Sequence, residues 1–94
     1  MEFDGKSVIV TGGSLGMGRA CAERFAGAGA SVLIVANDRQ SIEKAVTEIG
    51  GRTSGFVADV RNATDMRAAV DQAKVKNGGV DILVCSAGVQ RYGT

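Results

Sequence analysis

Apolar residues along this chain follow two alternating spacings. Unbroken apolar and β-branched runs predict buried strands, and they occupy residues 7–11, 32–35, 53–58 (the weakest run) and 81–85. Between the runs, apolar residues recur three and four positions apart, which is the spacing of one helix face. This second pattern runs through Met17, Ala20, Cys21, Phe25 and Ala28, then Ile42, Ala45, Val46 and Ile49, then Met66, Ala69, Val70 and Ala73. The chain is therefore predicted to alternate four strands with three helices.

Glycine and asparagine mark the ends of these helices. Glycines fall at residues 27, 29, 50–51 and 78–79, at or directly after the end of each helical pattern, where they commonly end a helix. Asn62 is a favourable N-cap for the third helix, and Asp65 follows three residues later. This spacing predicts a capping box, in which each of the two side chains accepts a hydrogen bond from the backbone N–H of the other residue.

The order of the elements determines the fold class. Strands separated by helices of this length need crossover connections, which produce a parallel sheet. Right-handed crossovers then favour a doubly wound, Rossmann-like α/β sheet. No linker or repeat interrupts the series, so residues 1–94 are predicted to be the N-terminal part of one such domain, with no second domain.

Composition narrows the range of functions. The chain has 94 residues, no His, two Cys and a net charge of +1. It has no basic surface that would attract nucleic acid. Without His it lacks the commonest metal ligand, and we expect no metal site. No apolar stretch approaches the ~20 residues of a membrane span. Two cysteines without a secretion signal favour the cytoplasm, and both are expected to be buried and unreactive.

The most informative segment is a glycine cluster between the first strand and the first helix. It reads Thr11-Gly12-Gly13-Ser14-Leu15-Gly16-Met17-Gly18, at the point where doubly wound sheets bind nucleotides. Gly12 permits a tight turn, Gly16 lets a diphosphate approach the backbone, and Gly18 lets the helix pack close to the sheet. The helix N-terminus supplies N–H donors and a positive dipole end for the anion. The alternative is a glycine-rich turn with no ligand.

Three segments in order resemble the short-chain dehydrogenase/reductase family. They are the glycine cluster with spacing G-x-x-x-G-x-G, the pair Asp59-Val60 after the third strand, and Cys85-Ser86-Ala87-Gly88 after the fourth. In the last segment Cys85 and Ser86 replace two asparagines of the family pattern. The resemblance covers essentially the whole chain. It implies hydride transfer between NAD or NADP and an alcohol or carbonyl compound.

The resemblance also implies which residues contact the cofactor. Gly12, Ser14, Gly16 and Met17 would line the diphosphate and ribose, and Gly18 completes that motif. Asp59 would accept a hydrogen bond from the adenine amino group while the backbone of Val60 meets the ring edge. Ala87 and Gly88 would pass close to the ribose. A solvated or helix-capping carboxylate is the alternative for Asp59.

The choice between NAD and NADP depends on residues after the second strand. An acid there would bind the ribose 2′-hydroxyl, but the family position falls on Ala36, and Asn37 follows. Counting from the glycines reaches Asp38 instead, and Arg39 beside it could pair with a 2′-phosphate. Asp38 and Arg39 could equally begin the next helix. The missing acid at position 36 favours NADP slightly.

No catalytic residue is assigned within the 94 residues. The family's Tyr-x-x-x-Lys pair cannot include Tyr92, the only tyrosine, because no lysine follows it. We therefore expect the chain to hold the dinucleotide-binding part of a longer, homo-oligomeric enzyme, inactive by itself, with the fourth strand at an edge. The alternatives are a non-catalytic NAD(P)-binding module and a truncated, inactive fragment.

Overall fold

The structure is a computed structural model that describes residues 2–12 and 16–85. Its seven elements alternate as the sequence predicts. They are β1 (Ser7–Thr11), α1 (Gly16–Gly27), β2 (Ser31–Ala36), α2 (Arg39–Ile49), β3 (Thr53–Val57), α3 (Ala63–Asn77) and β4 (Ile82–Cys85).

The four strands form one parallel sheet in the order β3-β2-β1-β4. The order reverses beside β1, since the chain moves outward to β3 and then crosses back to β4. That crossing makes the sheet doubly wound and confirms the predicted Rossmann-like class.

Side chains of β1 alternate between the two faces of the sheet. Val8 and Val10 are fully buried in a cluster with residues of α1 and α2. Ile9 is buried on the opposite face with Ala69 and Ala73 of α3. Two helices therefore cover one face and α3 covers the other, as the winding of the chain requires.

Gly55 determines how closely α2 approaches the sheet. A Cβ added to this residue of β3 would overlap Cγ2 of Ile42 in α2, and Val46 Cγ2 would lie 3.5 Å away. The absence of a side chain at position 55 lets Ile42 fill the space against the strand. This contact fixes the position of β3, whose carboxyl end leads to Asp59.

The predicted N-cap of α3 is present, but the capping box is incomplete. Asn62 Oδ1 accepts the N–H groups of Thr64 at 2.9 Å and Asp65 at 3.1 Å. Asp65 does not return the bond to Asn62, whose N–H donates to the carbonyl of Asp59. The Asp65 carboxylate accepts the backbone N–H of Asp59 instead. The prediction was half wrong because the loop before the helix supplies a different donor.

The fourth strand lies at the edge of the described sheet, as expected. Leu83 is 51% exposed there, although it pairs in register with the fully buried Ile9. Cys85, which was expected to be buried, is exposed, and Cys21 is half-buried. The prediction for Cys85 was wrong because Cys85 lies two residues from Leu83 on the exposed face of this edge strand.

Across the described ranges 2–12 and 16–85, no helix is both long enough and apolar enough to cross a membrane.

Candidate functional site

The carboxyl ends of β1, β2 and β3 meet at one edge of the sheet and enclose a shallow cleft. Its volume is about 120 Å³, and its lining residues are Gly12, Ala36, Asn37, Ala58 and Val60. Three of the predicted cofactor-binding residues, Gly12, Asn37 and Val60, are thus brought together from three separate loops. Ligand pockets usually measure ~300–1,000 Å³, so this cleft has room for only part of a dinucleotide.

Gly12 makes the turn out of β1 that opens this cleft. Its φ is +73°, a left-handed conformation that favours glycine. Its N–H donates to the carbonyl of Val35 in β2 at 2.7 Å. The backbone is therefore held at the end of two strands, with no side chain between it and the cleft.

Gly16 begins α1 with a φ of +59°. Apart from its chain neighbours and the backbone of α1, no atom of residues 2–12 and 16–85 lies within 4 Å of the place where a Cβ would stand. Met17 beside it is 81% exposed, whereas Gly18 is buried. The entry to α1 therefore presents backbone and open space on the outside and a small residue on the inside. The sequence predicts this arrangement for a loop that admits a diphosphate.

The first turn of α1 contains no acidic residue. The first N–H groups of a helix have no partner within the helix, and the aligned peptide dipoles make that end positive. An anion at this end would gain hydrogen bonds and favourable charge.

Asp59 lies just after β3, and three hydrogen bonds hold its side chain and its backbone N–H. Its Oδ1 accepts the backbone N–H of Arg61 at 2.9 Å and Arg61 Nε at 3.3 Å. Its own N–H donates to Asp65 Oδ2 at 2.9 Å. The side chain remains 43% exposed. Among residues 2–12 and 16–85, no hydrogen bond reaches Asp59 Oδ2, so one carboxylate oxygen is free to accept another donor.

The bonds from Arg61 also keep the Asp59 carboxylate charged. The backbone N–H of Arg61 is the main cause that holds the pKa of Asp59 below its ordinary value, and the Arg61 side chain adds to it. Both donors favour the ionised form of the carboxylate. Asp59 is therefore an anionic hydrogen-bond acceptor at neutral pH.

Asp38 serves as the N-cap of α2. Its Oδ1 accepts the N–H of Gln40 at 3.2 Å, and its Oδ2 accepts the Ser41 hydroxyl at 2.6 Å. Arg39, the next residue, is exposed. The sequence left open whether Asp38 binds a ribose or begins the helix. The structure shows the helix cap, with both carboxylate oxygens in use.

Three predicted site residues, Ser14, Ala87 and Gly88, lie outside the described residues. Two residues that the site uses were not predicted for it, namely Arg61 and Asp65. The spacing Asp-x-Arg after a strand could have indicated that Arg61 bonds back to Asp59, because Asp commonly accepts the N–H two residues on. Apart from the position of Asp65 in the first turn of α3, nothing in the sequence indicated that its carboxylate would accept the N–H of Asp59.

A larger cavity of about 470 Å³ lies between α2 and β3. Its lining residues are Arg39, Ile42, Glu43, Val46, Thr47, Gly55, Phe56 and Val57. None of the predicted cofactor-binding residues is among them, and the cavity offers no phosphate-binding glycine turn. Size alone therefore does not locate the candidate site.

Within the described part of the chain, no cluster of three or more His, Cys, Asp or Glu could hold a metal ion.

Comparison with known proteins defines the family. The sequence model of the short chain dehydrogenase family matches residues 6–94. The chain belongs to this family.

Two curated relatives are representative of the matches. Oxidoreductase UcpA of Salmonella typhimurium is 44% identical over 95 residues, which cover 98% of this chain and 36% of that protein. A cis-2,3-dihydrobiphenyl-2,3-diol dehydrogenase of Paraburkholderia xenovorans is 33% identical over 94 residues, covering 100% of this chain and 34% of that protein. The chain spans about a third of the length of these relatives.

Solved structures of short chain dehydrogenases and a related reductase have the same fold as this chain. A short chain dehydrogenase from Bacillus anthracis superimposes with a TM-score of 0.87 and 39% identity, over 92% of this chain and 36% of that one. A 3-ketoacyl-(acyl-carrier-protein) reductase from Brucella melitensis, complexed with NADH, has a TM-score of 0.82 and 41% identity, over 86% of this chain and 34% of that one. The family is one of NAD(P)-dependent oxidoreductases.

Proposed function

We propose that the carboxyl edge of this sheet binds the adenosine and diphosphate part of NAD or NADP. Gly12, Gly16, Met17 and Gly18 would receive the diphosphate at the N-terminus of α1. The cleft between β1, β2 and β3 would receive the adenine. The observation that carries the proposal is the meeting of Gly12, Asn37 and Val60 around one cleft at the end of a doubly wound sheet.

The residues present fit such a ligand. Among the described residues, the place where a Cβ would stand at Gly16 is open, which would admit a phosphate group close to the backbone. The free Oδ2 of an ionised Asp59 can accept a hydrogen from the adenine amino group, and Val60 lines the cleft beside it. Ser14, Ala87 and Gly88 complete the proposed site from outside the described residues.

The polypeptide that carries this chain is proposed to be an oxidoreductase acting on an alcohol or a carbonyl compound. When bound, the nicotinamide ring of the cofactor supplies or accepts the hydride. This chain's own residues hold the opposite end of the cofactor and orient it. The homo-oligomeric assembly, the cytoplasmic location and the inactivity of the 94 residues alone stay predictions.

NADP is the cofactor we propose in preference to NAD. Both oxygens of Asp38 are engaged at the start of α2, so this acid has less capacity to bind a ribose 2′-hydroxyl. No hydrogen bond or ion pair holds the exposed Arg39 guanidinium among residues 2–12 and 16–85, and it is adjacent in sequence to that cap. Arginine pairs well with phosphate because its planar group offers two parallel donors. Asn37, which lines the cleft, would contact the same ribose.

Equilibrium titration of the natural polypeptide with NAD and NADP tests the proposal. Saturable binding that ADP-ribose displaces would support the site, and tighter binding of NADP would support the 2′-phosphate contact. Absence of binding to either dinucleotide would overturn the proposed function.

A matched pair of variants tests the cofactor preference separately. Arg39→Gln is expected to weaken NADP about tenfold, the order expected for one charge-assisted phosphate contact, while NAD affinity stays the same. Arg67→Gln, an exposed residue on α3, is the control and should change neither affinity. An equal loss of affinity for NADP and NAD in R39Q would contradict the assignment of Arg39.

A further inference from the structure

Asp65 makes a contact that its place in α3 does not require. It is the third residue of the helix, where a capping box would send its carboxylate back to Asn62. Its Oδ2 instead accepts the backbone N–H of Asp59 at 2.9 Å, across the loop that joins β3 to α3. The helix start is already capped, because Asn62 Oδ1 holds the N–H groups of Thr64 and Asp65. The bond from Asp59 therefore restrains the loop and is not needed to cap the helix.

The loop is restrained at both polar groups of the Asp59 backbone. Its N–H is held by Asp65, and its carbonyl accepts the N–H of Asn62 at 2.9 Å. These two bonds fix the peptide planes on either side of the Asp59 Cα. The side chain then needs only the bonds from Arg61 to Oδ1 to set its remaining rotation. Oδ2 is left without a partner in the described chain. Asp59 stands in sequence between Ala58 and Val60, which both line the cleft.

Burial distinguishes Asp65 from Arg61 as the more effective restraint. Asp65 is half-buried, whereas the Arg61 side chain is 86% exposed. Exposed ion pairs contribute little because water screens them, and a partly buried charge-assisted bond is stronger. The contact between α3 and the loop therefore has more influence on the direction of the Asp59 carboxylate than the surface ion pair has.

We propose that Asp65 is a positioning residue for nucleobase recognition. By holding the Asp59 backbone, it aims Oδ2 at the exocyclic amino group of adenine and so gives the site its preference for a 6-aminopurine. This inference rests on the proposed dinucleotide function. It adds to that function a residue of α3 that touches no ligand and determines which base is accepted.

The test compares NAD with nicotinamide hypoxanthine dinucleotide, in which a carbonyl oxygen replaces the amino group. Both are titrated against the natural polypeptide and its variants by equilibrium binding. Wild type should prefer NAD about tenfold, the order expected for one hydrogen bond to a charged group. Asp65→Ala should reduce that preference to about twofold or less, mainly by weakening NAD. Asp65→Asn should restore most of the preference, because its amide oxygen can accept the same N–H.

The controls separate positioning from general stability. Asp71→Ala removes an exposed acid of the same helix and should leave the base preference unchanged. If the role of Asp65 were purely structural, D65A would lower the melting temperature but leave the ratio of the two affinities at its wild-type value. That result would overturn the inference. If D65A does not fold, Asp65→Leu, which is similar in shape and has no acceptor, decides between the outcomes. A D65L ratio near one supports the acceptor role, and a ratio near the wild-type value overturns it.

The affinities of the wild-type protein for the two dinucleotides test this inference separately from the proposed dinucleotide-binding function. Binding of both dinucleotides with equal affinity would overturn base recognition by Asp59 and Asp65 while the dinucleotide site stands. Binding of neither would overturn both.

Discussion

Two loops at the same edge of the sheet offer a ligand different kinds of group. The turn after β1 offers backbone, since Gly12 and Gly16 carry no side chain and adopt left-handed φ angles of +73° and +59°. The loop after β3 offers a side chain, the Asp59 carboxylate, which Arg61 and Asp65 fix in place. A diphosphate needs several N–H donors and close approach, whereas an amino group needs one acceptor in a defined position. The difference between the loops corresponds to the two ends of the ligand that we propose for them.

The largest effect is expected from Gly16→Val, which alters the backbone loop. We expect dinucleotide affinity to fall about a hundredfold, or ~3 kcal/mol. A branched side chain at a positive φ costs about 1–2 kcal/mol, and its methyl groups would stand where the phosphate approaches. Equilibrium titration measures the change.

The control for that strain is Gly50→Val, after α2, where φ is +69° and the surrounding space is also open. It should cost similar stability and leave dinucleotide affinity unchanged. Unaltered affinity in G16V would show that the glycine turn is not the phosphate site, and the contrast between the two loops would fail.

Gly55→Ala should damage the fold while sparing the groups of both loops. Because its Cβ would overlap Ile42, we expect a loss of about 1–3 kcal/mol in the free energy of unfolding. Urea denaturation measures it. Gly27→Ala is the same substitution where nothing lies within 4 Å of the new Cβ, and it should be neutral or slightly stabilising. Equal stability losses in the two variants would contradict the close packing of α2 on β3.

Asp59→Ala alters the side-chain loop and should have a smaller effect than the glycine change. We expect NAD affinity to fall about tenfold, with little change for the hypoxanthine dinucleotide, whose carbonyl oxygen gains nothing from a carboxylate. Affinities for both ligands by titration give the result. A loss of equal size for the two ligands would mean that Asp59 supports the fold of the loop and does not read the base.

Lowering the pH should have the smallest effect over the ordinary range. The N–H groups of Arg61 hold the pKa of Asp59 below its usual value, and the ionised form is the acceptor. Its contribution is therefore complete above the usual Asp range and is lost only as the pH falls through the lowered pKa. The preference for NAD over the hypoxanthine analogue should stay constant from about pH 5 to 7.5. A preference that declines between pH 7 and 5 would contradict an ionised, Arg61-bonded Asp59.

Much of the fold could be predicted because its signals are local. The strand runs and the three-and-four spacing are set by which face each residue buries, and all seven elements appear where the sequence places them. Asn62 acts as a cap because capping depends on residues only two or three positions away.

Features that depend on distant neighbours were missed. Cys85 is exposed because it lies on the same face of β4 as the exposed Leu83, and the apolar run does not show which face of the strand is left uncovered. Asp65 could bond to Asn62 or to Asp59, and the choice depends on where β3 delivers the loop relative to α3. Asp38 likewise had two roles compatible with its spacing, and only the geometry of α2 shows it as the helix cap.

The most direct measurement is a crystal structure of the natural polypeptide with NADP bound. We predict the diphosphate within hydrogen-bonding distance of the N–H groups at Gly16 and Met17, and the adenine amino group donating to Asp59 Oδ2. A dinucleotide bound elsewhere, for example in the larger cavity between α2 and β3, would contradict the assignment of the two loops.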